Sequence, residues 1–215
     1  MIIAIDGPAG SGKSTTAKFL AKKIGFMHVN TGYMYRAIAL KIFNNKIDIN
    51  NKQLVKNMLE NTELSYQNGK IYLDGENVLS SLTTNNVTNI VSTVSALSYV
   101  RDKLVKYQRK ISIGNNVVLE GRDIGTVVFP QADYKFYITA DIKTRAMRRK
   151  KEFEKKGSKI TLEQCLLYIK NRDNKDISRK CSPLKKAEDA IEIDTTELEI
   201  DEQVNCIINI INNNK

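Results

Sequence analysis

The stretch GPAGSGKST, Gly7 to Thr15, decides how the rest of the chain is read. Gly7, Gly12, Lys13 and Ser14 satisfy the spacing G-x-x-x-x-G-K-[ST], in which backbone N–H groups curl around phosphate oxygens. Glycine is needed because the chain must turn its amides inward with no Cβ in the way. Gly7, Pro8, Ala9, Gly10, Ser11, Gly12, Lys13, Ser14 and Thr15 are therefore the candidate triphosphate cradle. Lys13 would reach the β/γ-phosphates, and the Ser14 hydroxyl would ligate Mg²⁺. The flanks agree: MIIAID predicts a short buried strand, and SGKSTTAKFLAKKIG a helix ending at Gly25. Strand, loop and helix N-terminus in that order form an anion site.

Composition narrows the class. A chain of 215 residues suits one domain with insertions and a sizeable core. Asp6 and the glycine loop interrupt any N-terminal apolar targeting segment. The longest uncharged stretch, Asn77 to Val100, has Ser, Thr or Asn at 13 of 24 positions, too polar to span a bilayer. Cys165, Cys181 and Cys206 are scattered without metal-ligand spacing, which fits reduced thiols in a cytoplasm. His28 is the only histidine, so a histidine-based triad is not expected and a core or surface imidazole is.

The net charge of +10 is unevenly placed. Lys143 to Lys186 holds 16 of the 34 basic residues and only five acids, so the remainder is nearly neutral. A nucleic-acid patch and a polyphosphate clamp both account for such a segment. Nucleic-acid binding would interleave stacking aromatics, and only Phe153 and Tyr168 fall here.

Along the chain, FMHVN predicts a strand, and GYMYRAIALKIFNN a helix with apolar residues at 34, 35, 38, 39 and 42. From about 46 to 98 the pattern changes. ELSYQNGKIYLDG reads as a hairpin, with Asn68-Gly69 suited to a type I′ turn. Val87, Ile90, Val91, Val94 and Leu97 form one helix face. A helix over about Tyr99–Ser112, the strand NVVLE, a loop GRDIGT and the strand YKFYIT follow. Helices at DIKTRAMRRKKEFEKK (N-cap Asp141) and TLEQCLLYIKNRD lead to a short strand, AIEID, and a helix from about Ile200. The terminal NIINNNK is expected to fray. Alternating strands and helices with short connections imply a parallel sheet covered on both faces, with ligands at the strands' carboxyl ends.

A GTPase switch is one rival reading. Asn45-Lys46-Ile47-Asp48 matches NKxD, but it follows an amphipathic helix rather than a buried strand, and no D-x-x-G occurs. NKID is read as chance. A small-molecule kinase fits better: a P-loop core, an insertion for the acceptor and an arginine-rich lid.

Three further segments carry a specific resemblance. TGYMYRA (31–37), EGRDIGTVVFP (120–130) and RDNKDISRKCSPLKKAEDAIEIDTT (172–196) resemble the bacterial cytidylate kinase family, in the expected order over nearly the full chain. The resemblance implies an α/β P-loop NTPase fold, a parallel sheet flanked by helices, with an NMP-binding insertion and an arginine-rich lid. The implied division is a core of residues 1–45, 99–155 and 187–215, an insertion at 46–98 and a lid at 156–186. It implies a cytoplasmic enzyme, expected as a monomer. The enzyme would transfer the γ-phosphoryl of ATP, with Mg²⁺, to CMP or dCMP, with no nucleic-acid or membrane partner.

Carried across residue by residue, Thr31 and Arg36 match the segment that holds the acceptor phosphate. Ser92 and Arg101 match positions used at the cytosine, on spacing in a weaker segment. Arg122 matches a phosphate-binding arginine, Asp123 a base-reading aspartate, Arg172 and Asp176 residues around the sugar, and Arg179 a lid arginine. Lys13, Arg122, Asp123, Arg172 and Arg179 are the catalytic candidates, and Ser14 the metal ligand. Tyr33, Asn30 and Lys185-Lys186 depart mildly from the pattern. Other monophosphate kinases, for UMP or AMP, and a nucleic-acid-dependent ATPase are the alternatives.

Overall fold

The computed structural model describes residues 1–67, 69–155, 157 and 159–213. In chain order the elements are β1 (Ile2–Asp6), α1 (Lys13–Ile24), β2 (Met27–Asn30), α2 (Thr31–Asn44), α3 (Lys52–Glu60), β3 (Leu64–Gln67), β4 (Lys70–Leu73) and β5 (Glu76–Asn77). Then come α4 (Asn85–Ala96), α5 (Ser98–Ser112), β6 (Val117–Gly121), β7 (Tyr134–Thr139), α6 (Ile142–Glu154), α7 (Leu162–Ser178), β8 (Ile191–Asp194) and α8 (Ile200–Asn213). Two compact units divide the chain: Met1–His28 with Asn116–Lys215, and Val29–Asn115. Among the described residues no helix is long and apolar enough to cross a membrane.

A five-stranded sheet has the order β2-β6-β1-β7-β8, and β6, β1, β7 and β8 lie in the first unit. Apart from Asp6 and Glu120 at their carboxyl ends, the runs IIAID and VVLEG are apolar on both faces, as in a parallel sheet covered by helices on both sides. β1 pairs parallel with β6 and β7, and β7 with β8. Asp6 stands opposite Gly121 and Tyr137, and Thr139 opposite Asp194, so the carboxyl ends share one edge. Ile3, Ile5, Val118, Phe136 and Ile138 of the strands pack with Leu20 of α1 and with Val204 and Ile207 of α8. α1 stops at Gly25, whose left-handed φ of 71° suits glycine.

Three expectations change in this unit. GRDIGT is not an open loop: Ile124–Val128 form a π-type helical turn, with Val128 N–H donating to Asp123 O and Phe129 N–H to Ile124 O. The buried Asp6 carboxylate caps that turn, accepting from the amides of Ile124 at 2.9 Å and Gly125 at 2.8 Å. A turn stabilised by a residue 118 positions away leaves no local signal. α7 starts at the capping box of Thr161 and Gln164 but runs to Ser178, five residues past the expected end. It therefore carries Asp176. The C-terminal residues stay helical to Asn213, because Ile211 is buried; Asn214 and Lys215 lie outside the described residues.

The second unit joins α2, α4 and α5 to a three-stranded antiparallel sheet, β3-β4-β5. Gln67 pairs with Lys70, which leaves two residues for the hairpin turn. The turn type expected there rests on Asn68, outside the described residues. Val87, Val91 and Val94 are buried as predicted, while Leu97 caps the end of α4. α3 has no counterpart in the sequence reading: it is short, starts at the Asn51 cap and buries only Val55, Met58 and Leu59. Asn45-Lys46-Ile47-Asp48 closes α2 and begins a turn in which Asp48 accepts from Asn50 N–H.

Candidate active site

The glycine loop in the first unit follows β1 directly and opens α1. A Cβ on Gly7 would lie 2.0 Å from the Ile138 carbonyl oxygen, and one on Gly10 2.9 Å from that of Arg145. Only glycine permits those approaches. The loop is also held by side chains: Thr195 Oγ1 lies 2.9 Å from Ser11 O and accepts from Arg148 Nη1 at 3.0 Å. Gln203 Oε1 accepts from the Thr16 hydroxyl at 2.6 Å. A cavity of about 770 Å³ opens on Gly12, Lys13, Ser14, Arg148 and Gln203, a volume suited to a nucleotide.

Lys13 is buried, and its Nζ donates to Pro8 O at 2.9 Å. Burial pushes its ammonium down to about 7; Arg122 pushes the same way, and Glu120 and Asp176 oppose. Ser14 Oγ donates to Glu120 Oε2, and the other oxygen of Glu120 lies 3.0 Å from His28 Nε2. The lone histidine thus sits against the carboxylate that faces Ser14. Hydroxyl and carboxylate oxygens are the donor set that Mg²⁺ prefers, so these residues fit such an ion. Among the described residues no group of three or more His, Cys, Asp or Glu side chains forms a metal cage. Asp6, behind the loop, is pushed up to about 6 by burial, against the two amide hydrogen bonds from Gly125 and Ile124.

A second cluster of the same unit gathers around Asp176. Its carboxylate accepts from Arg122 Nε at 2.9 Å and Arg172 Nε at 3.3 Å, with Arg179 Nη1 at 3.9 Å. Burial alone would raise the Asp176 carboxyl, but Arg122 and Arg172 outweigh it and hold it below the usual carboxylate range. Arg179 also stands 3.7 Å from the buried Asp123. Five predicted residues, Arg122, Asp123, Arg172, Asp176 and Arg179, thus converge. Elsewhere in the basic segment, Arg149 stacks on Phe153 at 4.5 Å and Tyr168 at 5.1 Å, and the two rings meet edge to face. Both aromatics are committed to fastening α6 to α7.

The second unit carries the other predicted residues. Thr31 begins α2, whose N-cap is Asn30, accepting from Tyr33 N–H. Asparagine is among the preferred N-cap residues. Arg36 Nη1 donates to Leu82 O at 2.9 Å and Thr88 Oγ1 at 3.1 Å. Arg101 is buried, lies over the Tyr35 ring and donates to Ser95 O at 3.0 Å. Ser92 is half-buried on α4, its carbonyl accepting from Ser95. α2 and α5 are thus linked through Arg101.

Asp6, Glu120, Arg145, Arg148, Asp173, Thr195 and Gln203 escaped the sequence reading. Asp173 and Thr195 lie within the quoted 172–196 segment without a role being assigned to them, and Glu120 ends an otherwise apolar strand run next to the GRD segment.

A glycine loop at the carboxyl edge of a parallel sheet, with a buried lysine and a cavity of nucleotide size, defines a P-loop nucleotide-binding protein. The comparisons narrow the class. The chain belongs to the cytidylate kinase family, whose model matches residues 3–213. It is 45% identical over 212 residues to a cytidylate kinase of Clostridioides difficile, covering 99% of this chain and 98% of the relative. It is 47% identical over 207 residues to one of Fusobacterium nucleatum, covering 96% and 95%. The crystal structure of an uncharacterized protein from Eubacterium ventriosum shares the fold at 15% identity, with a TM-score of 0.51 and 99% and 98% of the two chains covered.

Proposed function

We propose that this chain transfers the γ-phosphoryl group of ATP to CMP or dCMP, giving ADP and CDP or dCDP. The observation that carries the reading is the convergence of Arg122, Arg172 and Arg179 on Asp176 in the unit that holds the P-loop. Phosphoryl transfer asks little covalent chemistry of a protein; it asks for two nucleotides in line and for neutralised charge. Lys13 and the three arginines supply that positive charge. A phosphate-oxygen acceptor is already deprotonated, so no general base is needed. Ser14 and Glu120 would hold Mg²⁺, which neutralises charge on the β- and γ-phosphates.

Thr31 and Arg36 are read as ligands of the acceptor phosphate, Ser92, Arg101 and Asp123 as readers of the cytosine, and Arg172 and Asp176 as neighbours of the sugar. Residues 46–98 would form the acceptor-binding insertion and 156–186 the lid, on a core of 1–45, 99–155 and 187–215. A monomer working in the cytoplasm completes the proposal. The basic segment is assigned to nucleotides rather than to DNA or RNA, since Phe153 and Tyr168 are occupied with Arg149. A coupled assay of ADP release with CMP, dCMP, UMP and AMP tests the reading. The expected result is rapid turnover with CMP and dCMP; turnover stimulated by DNA or RNA but not by CMP overturns it.

A further inference from the structure

Ala9, inside the glycine loop, is held at both of its backbone groups. Its N–H donates to Asp173 Oδ1 at 3.1 Å, and its carbonyl accepts from Arg145 Nη1 at 3.2 Å. The same Arg145 nitrogen pairs with the second oxygen of Asp173, and Arg145 Nε donates to Ala140 O at 3.0 Å. Both side chains are buried. At the next residue, the close approach of the Arg145 carbonyl leaves no room for a Cβ on Gly10. Two helices, α6 through Arg145 and α7 through Asp173, therefore meet the loop at adjacent residues.

Joining α6 to α7 does not require charge. Removing two ions from water is costly, and an apolar pair of similar volume generally holds helices together as well or better. An apolar pair cannot accept from the N–H and donate to the carbonyl of one loop residue. We propose that Arg145 and Asp173 are positioning residues for phosphoryl transfer. Their pair fixes the loop's shoulder at Ala9 in the shape that receives a triphosphate, and ties it to α7. Asp173 lies next to Arg172 and three residues before Asp176, so the loop and the arginine cluster take their spacing from one helix. The proposal rests on the phosphotransferase reading of this site.

Two variants test it. Arg145→Met/Asp173→Leu replaces the ion pair by apolar side chains and keeps the packing volume. Asp173→Asn removes the charge but keeps an oxygen that can accept from Ala9 N–H. Each is compared with wild type for melting temperature, affinity for a non-hydrolysable ATP analogue, and kcat with ATP and CMP.

The double variant is expected to melt within a few degrees of wild type. Its analogue affinity should fall about tenfold and its kcat about a hundredfold, the scale of a loop displaced by about 1 Å. Asp173→Asn should recover most of the analogue affinity. The proposal is overturned if the folded double variant binds the analogue and turns over like wild type. It is equally overturned if both variants lose affinity only in proportion to melting temperature, without rescue by Asn. A wild-type protein that binds the analogue but does not phosphorylate CMP refutes the acceptor assignment and leaves the affinity comparison as the test of the clamp.

Discussion

Arg122, on the loop after β6, and Asp176, on α7, are joined by a 2.9 Å hydrogen bond between Nε and Oδ2. Arg172 and Arg179 reach the same carboxylate, so one acid sets the spacing of three cations. We predict that Asp176→Asn lowers kcat/KM for CMP about a hundredfold, because an amide cannot hold three guanidinium groups together. The pH dependence should change as well. The folded carboxyl lies below its unfolded value of about 3.9, so its stabilisation is present above that value and is lost as pH falls through the folded one. Urea unfolding between pH 7 and 3 should show a shallower acid loss in the variant, and identical slopes would refute this.

Lys13→Ala should reduce kcat about a thousandfold and leave the circular dichroism spectrum native. One preorganised donor beside developing charge contributes about 3–4 kcal/mol to transfer. Activity within tenfold of wild type would remove the lysine from the mechanism.

Proton linkage follows from the same residue. Lys13 sits at about 7 in the folded protein and about 10.4 in the unfolded chain, so the unfolded state holds the proton more tightly over that interval. This group's contribution to stability therefore rises as pH increases from 7 towards 10. Phosphate oxygens beside the amine favour its charged form, so triphosphate binding should take up a proton. Calorimetric titration with an ATP analogue at pH 7.5, in two buffers of different ionisation enthalpy, measures the uptake. A binding enthalpy that does not change with buffer contradicts it.

Asp123 carries the prediction on base choice. Cytosine presents an amino donor where uracil presents a carbonyl, and a carboxylate suits the donor. CMP should exceed UMP in kcat/KM by about a hundredfold or more, and Asp123→Asn should narrow that ratio because an amide can turn either end to the base. The competing role is visible: Asp123 stands 3.7 Å from Arg179 and could serve only to place it. Equal losses on both acceptors in the variant would assign that role.

Gly7→Ala should abolish binding of an ATP analogue at millimolar concentration, because the new methyl group meets the Ile138 carbonyl at 2.0 Å. Binding within tenfold of wild type would mean that β7 yields more readily than a core strand should.

Legibility in the sequence followed locality. The glycine loop, the Asp141 cap and the buried strand runs declare themselves within a few residues, and each was predicted. The arginines and acids of the Asp176 cluster were reached through family resemblance, but the helix that carries Asp176 runs five residues further than the sequence pattern suggests. What stayed hidden depends on distant partners. The π-type turn at Ile124–Val128 needs Asp6, and α7 extends through a polar stretch to bring Asp176 to Arg122. Thr195 and Gln203 look like ordinary polar residues until the fold brings them to Ser11 and Thr16. α3 spans only nine residues, so its apolar stripe of Val55, Met58 and Leu59 covers barely two turns inside a segment read as a hairpin insertion.

The distances along the chain between the loop and its supports bear on the order of events during translation. Ala9 waits for Asp173, 164 residues later; Ser11 waits for Thr195, 184 later; and Thr16 waits for Gln203, 187 later. At about 5–20 residues per second, the ribosome delivers those partners roughly ten to forty seconds after the loop itself. A nascent chain therefore exposes the phosphate-binding sequence early but lacks the braces that give it shape. Nucleotide capture should begin only when the segment around α8 has emerged, and bound nucleotide would then stabilise the braced loop by mass action.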